Sequence, residues 1–141
     1  MKIDILSMDM VLDYCDGAQL FVGRDSFGTS YLCLLFSDEP AAKYTAIRIS
    51  KKRIDSFLAG TLDLREIFLN PENPQEYYDV LTESGSLILE RSSLKSLPEE
   101  RLPEAGYRIP SDKEESLTVR IPMRDHDFIH DLARKLGWVF L

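Results

Sequence analysis

The chain has 141 residues, 44% of them hydrophobic, which suits one globular domain over residues 1–141; a domain of this size hides roughly two-thirds of its unfolded surface and needs no disulfide or metal staple. Its formal net charge of −7 argues against general nucleic-acid binding, because lysine and arginine on phosphates dominate that affinity. No apolar run approaches the roughly 20 residues of a membrane span, and Asp4 and Asp9 rule out the first stretch as a signal peptide, so the expectation is a cytoplasmic protein with no membrane partner and no cofactor.

In chain order, Met8 to Asp16 mixes Met10, Val11, Leu12 and Tyr14 with aspartates and reads as a first strand, closed by an Asp16-Gly17 turn. Leu20, Phe21 and Val22 form a second. Arg24 to Thr29 supplies turn chemistry, with Asp25 and Ser26 able to bond their own backbone and Gly28 free to take positive φ. Ser30 to Phe36 is unbroken by charge and reads as a strand covered on both faces. After the Asp38-Glu39-Pro40 turn, Tyr44 to Ser50 alternates. Thr45, Ile47 and Ile49 point one way; Tyr44, Ala46 and Arg48 point the other.

Two short helices are predicted next. Ser50 is a good N-cap, and Ile54, Phe57 and Leu58 make one apolar stripe. Gly60 ends that helix. Asp63 with Glu66 has capping-box spacing, and Leu64, Ile67 and Phe68 face inward. Pro71 stops the second helix. Glu76 to Thr82 and Ser86 to Arg91 read as a hairpin around Ser84-Gly85. Ser92 to Ser116 is a surface excursion with one helical turn near Pro98, and Leu97, Leu102 and Tyr107 in it need cover. Leu117 to Ile121 alternates weakly, and Asp125 to Leu136 reads as a helix with Phe128, Ile129, Leu132 and Leu136 inside. Trp138 to Leu141 is too apolar to dangle free. The resulting fold class is α+β: a mostly antiparallel β-meander sheet, with short helices packed on one face. Residues 13–70 form its organising unit, and residues 71–141 add the second hairpin, the excursion and the last helix.

Three constellations bear on function. His126 and His130 stand at i and i+4 and could ligate a metal, but Asp127 follows the first histidine where a metalloprotease needs glutamate, and a solvated helix face explains both imidazoles. Arg48, Lys51, Lys52 and Arg53 form a basic cluster, three of them at a helix start where the dipole disfavours cations; free N–H groups and cations there invite an anion. Tyr77, Tyr78 and Tyr107 with Phe27 form an exposed aromatic patch or, with hydroxyls satisfied, parts of the core. Cys15 and Cys33 lack metal or redox spacing and read as reduced thiols.

Asp16-Gly17-Ala18-Gln19-Leu20-Phe21, then Tyr31-Leu32, Arg48-Ile49-Ser50, and Gly60 with Leu62-Asp63-Leu64-Arg65 resemble a family of small bacterial domains of unknown function. The likeness covers residues 13–70. Its motifs are turn glycines, caps and core positions; it implies a bacterial or phage origin and transfers no catalytic residue.

These features favour a non-enzymatic protein-interaction or regulatory module, meeting a protein partner or its own copies through the basic cluster, the aromatic residues or Trp138. The alternative is a small metal-dependent or hydrolytic enzyme using His126 and His130.

Overall fold

The computed structural model describes residues 2–72, 75–107 and 121–122. The helix expected at 125–136, with His126 and His130, and the tail with Trp138 lie outside them. So do residues 117–120 of the weak strand.

Strands β1 (Lys2–Tyr14), β2 (Ala18–Arg24), β3 (Ser30–Ser37) and β4 (Lys43–Arg48) precede helices α1 (Lys51–Leu58) and α2 (Leu64–Leu69). Strands β5 (Tyr78–Glu83) and β6 (Ser86–Arg91) follow, then a 3-10 turn at Glu99–Arg101 and a short β7 (Ile121–Pro122). The sheet order β2-β3-β4-β5-β6-β1 returns to its start, because β1 also pairs with β2. The open α+β sheet expected from the sequence is thus corrected: the molecule is a closed six-stranded antiparallel barrel, mostly β, with two short helices.

Strand β1 makes the closure. Its first half, Lys2 to Leu6, pairs with β6; its second half, Ser7 to Tyr14, pairs with β2. Register shifts at Met8/Met10, Val11/Asp13 and Asp13/Tyr14 interrupt the second ladder. Bulges of this kind bend a strand and increase its twist. Leu6, Met8, Val11 and Tyr14 all join the interior cluster, at spacings of two, three and three. A two-residue period is therefore lost in the stretch that the sequence reading needed to place, and no local pattern reports that residues 2–6 meet residues 87–90.

The other strands keep their alternation. Tyr31 and Cys33 face the barrel interior while Leu32 faces out; Tyr44 and Ala46 face in while Ile47 and Ile49 face out. Cross-strand registers set large against small: Gly23 lies opposite Tyr31, Cys33 opposite Phe21 and Ala46, and Ala46 opposite Tyr78. A Cβ on Gly23 would come within 3.1 Å of Leu6 Cδ1 and 3.2 Å of Phe21 Cε2, so the smallest residue stands where the interior is fullest. Edge-to-face pairs Phe21–Tyr44 (4.8 Å) and Tyr31–Tyr78 (5.3 Å) fill the lumen in the geometry aromatic quadrupoles prefer.

A second cluster lies outside the wall. Ile54 and Phe57 of α1 and Leu64, Ile67 and Phe68 of α2 cover Leu20, Val22, Leu32 and Ile47. Residues 97–107 strap onto the same cluster through Leu97, Leu102 and Tyr107. Arg65 grips Glu99 with two 2.7 Å bonds. Arg101 donates to Thr45 Oγ1 (2.6 Å) and Asp79 (2.8 Å) and lies 3.9 Å over the Phe36 ring. Of Thr61 and Asp63, the two candidates for the α2 cap, Asp63 stands at the N-cap, but its carboxylate makes no cap bond and accepts the Gly106 N–H at 3.2 Å.

Candidate functional site

Asp25 organises the β2–β3 loop. Its Oδ1 accepts the N–H groups of Phe27 and Thr29, each at 2.9 Å, and its Oδ2 accepts the hydroxyl of buried Tyr31 at 3.0 Å. Gly28, at φ +84°, donates its N–H to the Asp25 carbonyl at 3.1 Å. The loop is tied to β1 as well: Asp4 Oδ2 accepts the Ser26 hydroxyl (2.7 Å) and N–H (3.0 Å), while Oδ1 accepts the Ile5 N–H at 2.7 Å. The Ser26 hydroxyl first, and the two N–H groups after it, hold the Asp4 carboxyl below its ordinary range, so it stays charged.

The side chain this loop carries is Phe27, 88% exposed. Ile3 (46%) and Ile5 (50%) flank Asp4 in the chain. Ile3, Ile5 and Phe27 are three of the four exposed large apolar side chains of the described residues, and the Ser26–Asp4 contact ties the loop that carries Phe27 to the strand that carries Ile3 and Ile5; the fourth, Leu69, ends α2. Scattered exposed apolar residues are ordinary. Phe27 is a solvent-exposed aromatic ring on a loop held by this many bonds and tied to the strand that bears the two exposed isoleucines.

The basic cluster divides. Arg48 points inward at the barrel end, 5.8 Å from the Tyr78 ring centroid, and its buried Nε has no hydrogen-bond partner among the described residues. Lys51 pairs with Asp55 at 2.8 Å, and Lys52 is exposed. The anion that the helix start invites is the protein's own Glu72. It accepts the Ser50 N–H and hydroxyl, each at 2.7 Å, and lies 3.6 Å from Arg53. Arg53 also donates to the Asn70 carbonyl at 2.6 Å.

The aromatic residues divide too. Tyr77 and Tyr78 are buried, with hydroxyls on the Phe68 carbonyl (2.6 Å) and on Glu76 (2.8 Å). Tyr107 is half-buried and donates to Asp13. Of the four aromatic residues weighed together, Phe27 alone is presented to solvent. Ile3, Asp4 and Ile5 were not singled out, although Lys2-Ile3-Asp4-Ile5-Leu6 alternates; that alternation was their signal.

At the far end of β2 and β3, a groove of about 490 Å³ runs over Leu34, Leu35 and Phe36 beside the strap. Arg101 and Asp13 in its wall are engaged by Asp79 and Tyr107. Among the described residues no cluster of three metal-ligating side chains occurs, and no helix is long and apolar enough to cross a membrane.

The fold and site define a small closed β-barrel with helices on its outer wall and an apolar edge beside one end. The chain belongs to the Family of unknown function (DUF6575), whose family model matches residues 4–124, well beyond the 13–70 over which the resemblance was read. No curated protein and no solved structure matches the chain.

Proposed function

We propose that this domain is a non-enzymatic protein-interaction module that docks a partner on the edge formed by Phe27, Ile3 and Ile5. The observation that carries this reading is the 88% exposure of Phe27 on a loop fixed by Asp25 and Asp4. Burying a phenylalanine side chain gains about 1.5–3 kcal/mol. Because the loop is already ordered, little of that gain is lost to freezing it on binding. The two cysteines are unpaired, one of them exposed, which fits the reducing cytoplasm expected from the sequence.

The test places a photo-activatable phenylalanine analogue at position 27 of the full chain in its native host, with the same analogue at Leu69 as control. Discrete crosslinked species at position 27 and none at position 69 are expected. Equal labelling at both positions, or none at 27, would remove this surface as a docking site.

A further inference from the structure

We infer that the edge of β1 at Lys2–Leu6 takes an extended segment of a partner protein as an added β-strand, apolar at alternate positions and carrying a lysine or arginine beside Asp4. This rests on the reading of the Phe27 edge as a docking surface and specifies what docks there.

The ladder supports it first. Among the described pairings, Lys2–Leu6 is matched on one side only, by Glu90–Leu87 of β6. On the other side, β2 reaches no further than Arg24, opposite Ser7. A strand edge of this kind is a template for main-chain pairing, which proteins usually block with lysine, proline or an inward charge. Here the device at the edge is Asp4. Its Oδ1 takes the Ile5 N–H at 2.7 Å, where a neighbouring strand's carbonyl would otherwise stand. An incoming carbonyl replaces that oxygen one for one.

The side chains support it next. Ile3 and Ile5 stand two residues apart and both are exposed, Ile3 at the register shift between Lys2 and Asp4; side chains two apart are what strand recognition reads. Opposite Ile5, buried Ile88 continues the apolar row onto β6. Phe27 is carried by the loop bonded to Asp4, through its neighbour Ser26. Charge then selects the segment. Asp4 is ionised and, among the described residues, enters no ion pair, whereas nearby Asp9 is matched by Arg24 at 2.9 Å. A basic residue beside Asp4 makes a favourable cross-strand pair. The same carboxylate disfavours an anionic lipid surface.

The experiment uses the full chain and three short fluorescent peptides: alternating valine and lysine; the same peptide N-methylated at alternate residues, so one edge cannot pair; and valine with glutamate. Anionic phosphatidylserine vesicles are the fourth probe. Saturable binding of the valine–lysine peptide is expected, with amide shifts confined to residues 2–6 and 24–29. The N-methylated and glutamate peptides are expected to bind about tenfold more weakly or worse, as is the valine–lysine peptide on Ile5→Lys. Absence of valine–lysine binding, equal binding of the N-methylated peptide, or binding of vesicles instead overturns the added strand. The protein is unaltered in the peptide comparison, so misfolding cannot produce that result. Crosslinks at position 27 surviving such an outcome would leave the docking surface standing without the strand; their absence removes both.

Discussion

Tyr31 links the interior of the barrel to its exposed edge. Its ring stacks edge-to-face on Tyr78, and its hydroxyl reaches Asp25 at 3.0 Å. Burial, with the Asp25 hydrogen bond adding to it, pushes the phenol up to about 12 from an ordinary value of 10.0. The folded state therefore favours the neutral phenol. The stability this gives is fully present below pH 10 and is lost as pH rises towards 12. Tyr31→Phe removes the effect, so the stability gap between wild type and variant, measured by urea unfolding at successive pH values, should narrow across that window. A gap that stays constant would show that the phenol does not sit in this environment. Below pH 10 the same variant frees one oxygen of Asp25 and loosens the loop that presents Phe27.

Among the elements, those with local signals were legible. β3 is legible from its unbroken apolar run and β4 from its alternation, because each strand's burial is decided by its own side chains. Ser50 and Gly60 bound α1 as expected, with Ser50 Oγ accepting the Arg53 N–H and Gly60 at φ +80°. What the sequence did not disclose was long-range. Glu72 finds the α1 start from 22 positions away, so an apparent external anion site is satisfied internally. Asp63 takes the N-cap position its spacing indicates, but its carboxylate answers Gly106 rather than the helix. Tyr77 and Tyr78 are buried, as the core reading of them expects, but nothing local says that their hydroxyls go to the Phe68 carbonyl and to Glu76. The strap shows the same dependence. Arg101 is its main clasp, bonding the buried Thr45 hydroxyl and Asp79 from more than twenty residues away. Arg101→Ala leaves both partners unmatched and should cost about 1–3 kcal/mol, read as a lower urea midpoint and faster proteolysis within residues 92–107. An unchanged midpoint would mean the strap contributes no stability.

At the scale of the molecule, the edge proposed for docking follows from closure of the barrel by one bent strand. β1 leaves β6 where β2 begins, and the half that β2 cannot reach is the half bearing Ile3, Asp4 and Ile5. An open sheet would place these residues on an ordinary terminal strand, with no loop bonded beside them. The first strand read from the sequence starts at Met8 and so contains neither the Lys2–Ser7 half of β1 nor this closure, since the bulges that bend β1 also erase its two-residue period. The decisive measurement is a cross-strand nuclear Overhauser experiment on the folded chain. The closed barrel requires backbone contacts of Ile5 with Ile88 and of Val11 with Phe21 in the same species. Observation of the Val11–Phe21 contact without that between Ile5 and Ile88 would mean an open sheet, and the proposed edge would not exist.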